Sequence, residues 1–131
     1  MIIDMLRSLI TDLSSQTTES DLIERFGTVK QNYAGSVHVT PADKHFSHIS
    51  LVRSAQTDDI AHVRLELTDN IPLSNLSATF GDYQSIDSGH GEPKTVMFQT
   101  TTTDTPYHIV MLVEIEDDNV TAITLRRDPH A

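Results

Sequence analysis

Two spacings organise this chain, one of three to four residues and one of two. Ile2, Met5, Leu6, Leu9, Ile10 and Leu13 recur every three or four positions. That is the period of one helix face, and Asp4, Arg7, Thr11 and Asp12 fall mostly on the other. Ser14-Ser15-Gln16-Thr17 interrupts the pattern as a polar connector. Thr18 and Asp21 then resemble a capping box, with Asp in place of the usual Glu. They precede a second stripe of Leu22, Ile23 and Phe26, closed by Gly27, which tolerates the left-handed geometry of a helix end.

Beyond Gly27 the period falls to two. Val37 and Val39 alternate with Ser36, His38 and Thr40, and Ile49, Leu51 and Arg53 alternate with Ser50 and Val52. Val63, Leu65 and Leu67 alternate with His62, Arg64 and Glu66, the pattern of a half-buried strand. Gln56-Thr57-Asp58-Asp59 reads as the hairpin turn between the last two. Asn70 is placed to cap a third, short helix with Pro72 in its first turn, Leu73, Leu76 and Phe80 on one face, and Gly81 at its end. Residues 82–93 are polar and Gly-rich, which predicts a loop.

Three more strands follow: one around Val96 and Phe98, one from His108 to Ile115, and one from Val120 to Leu125. The second is nearly continuous in apolar residues, as expected for a central strand covered on both faces. Glu116-Asp117-Asp118-Asn119 is the turn between the last two, and Arg126-Arg127-Asp128-Pro129 ends the predicted order. The sum is a single α+β domain over residues 1–131. It has an antiparallel sheet of about six strands and two or three helices on one face.

The chain also resembles itself. Ser20-Asp21-Leu22-Ile23-Glu24-Arg25-Phe26-Gly27 aligns with Ser74-Asn75-Leu76-Ser77-Ala78-Thr79-Phe80-Gly81 at four identical positions. The downstream order His48-Ile49, Asp58-Asp59, Leu67 is similar to His108-Ile109, Asp118-Asn119, Leu125. The expectation is a tandem α-β-β-β duplication over residues 20–69 and 74–128. The competing account is that capping chemistry is limited, so short capped helices look alike. A tandem pair of this kind resembles the arrangement of β-lactamase-inhibitory proteins and related small outer-membrane lipoprotein modules. The alternative layout is a cone-like curved sheet, similar to cystatin and nuclear-transport-factor-2-like domains. Both are likenesses of fold, and neither fixes a function.

Composition narrows the function classes. The formal net charge is −10, with ten acids and six bases in residues 1–73 and nine acids and three bases in residues 74–131. Both halves are acidic, so a nucleic-acid backbone would be repelled. The same field keeps the chain soluble and favours a protein partner with a basic surface. There is no cysteine, which excludes disulfides and thiolate metal sites. Asp4, Arg7 and Asp12 break up the apolar N-terminal residues, so neither a secretory segment nor a membrane span is expected, and the reading is cytoplasmic.

Candidate chemistry is sparse. Seven histidines (His38, His45, His48, His62, His90, His108, His130) raise the question of a metal or acid–base site. Their spacing matches no metal-binding motif, and His38, His48 and His62 converge only if neighbouring strands bring them together. Ser88-Gly89-His90-Gly91 lacks the frame of a nucleophile elbow, and no phosphate-binding glycine loop occurs. No cofactor is expected. The candidate interaction surface is the pair of acidic hairpin turns, Asp58 and Asp59 with Glu116, Asp117 and Asp118, although Asp is favoured in turns for its own sake. The leading expectation is a non-enzymatic adaptor, inhibitor or immunity-type protein. The alternative is a small-molecule-binding or enzymatic domain with a pocket on the curved sheet, lined from residues such as His62, Arg64, Glu66, Tyr107 and Glu114. A homo-oligomer would pair through an edge at Thr95–Thr101 or Val37–Thr40.

Overall fold

The computed structural model describes residues 2–15, 17–54, 60–86, 94–100 and 107–129. Helices α1 (Ile2–Ser14) and α2 (Glu19–Phe26) lead into strands β1 (Gly27–Asn32), β2 (Ser36–Pro41), β3 (Phe46–Arg53) and β4 (Ile60–Pro72). Helix α3 (Leu73–Phe80) then leads into β5 (Gln84–Ile86), β6 (Lys94–Gln99), β7 (Tyr107–Glu116) and β8 (Asn119–Pro129). All eight strands form one antiparallel sheet in the order β1-β2-β3-β4-β8-β7-β6-β5. After α1, each half of the chain is thus a short helix followed by a four-strand meander, not the three strands of the expected α-β-β-β unit, and the halves meet where β4 pairs with β8.

Two rows of side chains explain why the sheet holds. Val37, Leu51, Val63, Leu125, Met111 and Phe98 stand in register across the six inner strands. Val39, Ile49, Leu65, Ile123, Val113 and Val96 form the next row. Every member of both rows is at most 1% exposed. Helix α1 covers β7 and β8 with Leu6, Leu9, Ile10 and Leu13, while α2 packs on β1 and β2. Truncating one such side chain to Ala costs about 2–5 kcal/mol.

The sheet has eight strands, not about six. The two additions are its edges. In β1 all residues after Gly27 are exposed, and all three of β5 are exposed. A strand wetted on both faces carries no apolar alternation, so nothing in Thr28–Asn32 or Gln84–Ile86 announces one. The expected edges move accordingly: residues 37–40 and 95–99 lie one strand inside, and β1 and β5 stand at the rims.

Three local expectations are also corrected. Asn70 does not cap α3, because β4 runs on to Pro72 and the helix starts at Leu73 with no side-chain cap. The Leu73 N–H instead donates to the Asp118 carbonyl at 3.0 Å. β7 is not sandwiched between two layers among the described residues, because the helices α1 and α2 pack on one face of the sheet. β8 does not end at Leu125: its alternation continues through Arg127, which is 6% exposed on the core face. By contrast, the Thr18 hydroxyl accepts from the Asp21 N–H at 3.1 Å, as its position predicts.

Candidate functional site

The sheet face opposite the core rows carries the polar residues of every inner strand. Across it in register run Gln31, His38, Ser50, Arg64, Thr124, Leu112, Met97 and Gln84. On one side lies the row Ser36, Val52, His62, Arg126, Val110 and Gln99. On the other, His48, Glu66, Ala122, Glu114, Thr95 and Ile86 are in register. The face divides by chemistry. Its β2–β4 side is rich in His, Ser and charge, and its β7–β5 side carries Val110, Leu112, Met97 and Ile86.

At the centre, Arg64 pairs with Glu114 across the joint between the halves and lies 3.9 Å from Glu66 on its own strand. Arg126 holds Asp128 through bonds of 3.0 and 3.2 Å. His62 faces Arg126 in register. Burial first, and the Arg126 charge second, lower its pKa below the ordinary 6.5, so it is held neutral.

His38 and His48 meet directly. Nδ1 of His38 lies 2.8 Å from Nε2 of His48, with the rings 5.0 Å apart. The Ser50 hydroxyl lies 3.3 Å from the same His38 nitrogen, and the Ser36 hydroxyl 3.5 Å from its other one. His62 stands in a different row and does not join them. Among the described residues no group of three or more His, Asp or Glu is placed to hold a metal ion. His45 is engaged elsewhere. Its backbone N–H and its ring reach Asp43 at 2.9 and 2.7 Å, and these bonds lower the Asp43 pKa below 3.8. His90 and His130, and the Ser88–Gly91 segment, lie outside the described residues.

Glu116, Asp117 and Asp118 are exposed at the β7–β8 turn, beside the Pro72 end of β4. Asp58 and Asp59 lie outside the described residues. Asp117 and Asp118 both have positive φ, 52° and 63°, the geometry of a tight two-residue hairpin turn. A hollow of about 350 Å³ adjoins this turn, lined by Pro72, Leu73, Ser74, Ser77, Tyr83, Asp118 and Asn119. It is a shallow surface hollow without titratable groups converging on a point. Tyr107 and His108 lie at the far end of β7 from Glu114, so they do not assemble with it into one pocket.

Sequence reasoning missed Arg127. Its guanidinium donates to the carbonyls of Leu13 (2.9 Å), Ser15 (3.0 Å) and Ile60 (3.1 Å), and stacks 4.0 Å over the Tyr107 ring. It therefore supplies the cation that the last turn of α1 lacks. The signal was present: Ile123, Leu125 and Arg127 keep a period of two. In comparisons with known proteins, the chain matches no family model, no curated protein and no solved structure. No helix among the described residues is long and apolar enough to cross a membrane.

Proposed function

We propose that this chain is a small acidic binding protein without enzymatic activity, which recognises a protein partner carrying a basic surface. The observation that supports this most is the sheet itself. Its helices pack on one face, while the other presents a broad mixed surface with no covering helix among the described residues. Apolar side chains on that surface (Leu112, Met97) sit beside ion pairs, the composition of a recognition face rather than of a solvated one. The net charge of −10 favours a cationic partner and speeds the encounter at low salt. The exposed acids Glu116, Asp117 and Asp118 extend this field, and Asp58 and Asp59 are proposed to contribute to it. The two helix-plus-meander halves are further proposed to descend from one duplicated unit, and a cytoplasmic location is consistent with the absence of cysteine.

The test is affinity capture from host lysate at two salt concentrations, with Leu112→Glu and Asp117→Asn/Asp118→Asn variants run beside the parent. The expected result is a stoichiometric partner that weakens with salt and is lost with Leu112→Glu. Capture that is indifferent to salt and to both variants overturns the reading.

A further inference from the structure

We infer that His38 and His48 form a two-ligand site for a borderline divalent transition ion such as zinc. The inference starts from the distance between their nitrogens, 2.8 Å. Two neutral imidazoles at that separation share one proton, one ring donating and the other accepting. Nδ1 of His38 and Nε2 of His48 therefore face each other, and a cation that displaces the shared proton to solvent meets both nitrogens. Two nitrogens bound at about 2.0–2.1 Å to a tetrahedral zinc ion lie about 3.3 Å apart. Opening the pair by roughly half an ångström is a matter of small side-chain rotations, and both residues are half-buried, with the Tyr33 ring edge-on to His38 at 5.4 Å between centroids.

The surroundings favour the exchange of that proton for a metal. The His38 Nε2–H can donate to the Ser36 hydroxyl at 3.5 Å, which leaves Nδ1 as the nitrogen that accepts and can turn to a metal ion. The Ser50 hydroxyl, 3.3 Å from Nδ1, is at hand to orient a metal-bound water. Glu66 stands opposite His48 in register, on the same face. The positive charge of Arg64 in the adjoining row is met by Glu66 and Glu114. The acidic chain as a whole draws cations toward it. Imidazole selects zinc, copper or nickel rather than calcium or magnesium. With two protein ligands the ion keeps open positions for water or for a ligand from another molecule.

The experiment is a zinc titration of the intact chain, followed by calorimetry and by the NMR shifts of the His38 and His48 rings. At pH 7.5 one equivalent is expected to bind with both rings shifting. His38→Gln and His48→Gln should each weaken that event by about 10–100-fold or more, since even losing an outer partner of a ligand costs this much. Amide spectra verify that both variants fold, and His48→Asn provides a second substitution. His45→Gln and His62→Gln should leave the titration unchanged. Loss of binding in His45→Gln would move the site to the Asp43–His45 contact and overturn the assignment. So would zinc binding that survives in both His38→Gln and His48→Gln, or the absence of saturable binding in the parent.

Discussion

The two halves of this molecule share a layout and differ in the local contacts that hold their described residues. Both begin with a helix that ends in Phe-Gly: Phe26-Gly27 closes α2 and Phe80-Gly81 closes α3. Both glycines have positive φ, 154° and 90°, and both donate their N–H to the carbonyl four residues back, Ile23 and Ser77. The first helix start is capped by Thr18, whereas Pro72 offers no side-chain cap. Arg53 further binds the first half together, holding Glu19 of α2 at 2.7 and 3.0 Å and Asn32 of β1 at 3.0 Å. At the β5 rim the strand is only three residues long. The lesson is that a common layout can be held by different local chemistry.

Arg127 ties the two halves together. It sits on β8 in the second half, yet its hydrogen bonds go to α1 and to Ile60 at the start of β4. Arg127→Met keeps the apolar stem but orphans three carbonyls and the end of α1. Unsatisfied buried acceptors cost about 1–3 kcal/mol each, partly relieved by water, so a loss of about 4 kcal/mol is expected in denaturant unfolding. A loss under about 1 kcal/mol would show that the halves are joined by the β4–β8 ladder alone.

The two glycines make the next contrast. A Cβ at Gly27 would lie 2.1 Å from the Thr40 carbonyl oxygen and 2.9 Å from the Ala42 nitrogen. At Gly81 it would meet nothing within 4 Å. Gly27→Ala therefore combines backbone strain with a collision and is expected to cost about 3 kcal/mol. Gly81→Ala carries strain alone, about 1 kcal/mol. Equal losses for the two would mean that β1 yields as easily as the open turn after α3.

Much of this frame was legible in the chain, and the reasons are local. The six inner strands carry core rows on one side, so a period of two reveals each of them. Thr18 and the Phe-Gly ends are readable because capping needs few residues and few types. β1 and β5 were hidden because an exposed edge needs no pattern. The meeting of His38 with His48 depends on strand register, which no spacing within one strand reveals, as does the pairing of Arg64 with Glu114. Asn70 misled because cap residues are also ordinary turn and strand-end residues.

Two smaller effects sharpen the contrast of helix starts and turns. Thr18→Ala should cost about 1 kcal/mol, the usual value of an N-cap, while Pro72→Ala, with no cap to lose, should stay within about 0.5 kcal/mol. In the β7–β8 turn, Asp118→Gly should stabilise by about 0.5–1 kcal/mol, since Gly takes a positive φ without cost and the carbonyl that receives the Leu73 N–H is kept. Thermal unfolding of these three variants reads both signs. Destabilisation by Asp118→Gly would show that the carboxylate itself holds the turn.

The smallest effect lies on the seam between the halves. His62 on β4 faces Arg126 on β8, and its pKa is held below 6.5 by burial and by that charge. In the unfolded chain the same histidine takes a proton near pH 6.5, so in the window below that value the unfolded state binds more protons than the folded one. The contribution of neutral His62 to stability is thus complete above pH 6.5 and is lost as the pH falls toward its folded pKa. His62→Gln removes the titration but keeps a polar side chain at the seam. The parent should lose more stability than this variant between pH 7.5 and pH 5.5, in unfolding midpoints measured across the range. Parallel profiles would place the acid sensitivity away from the joint, and the two halves would then meet across a seam that protons do not loosen.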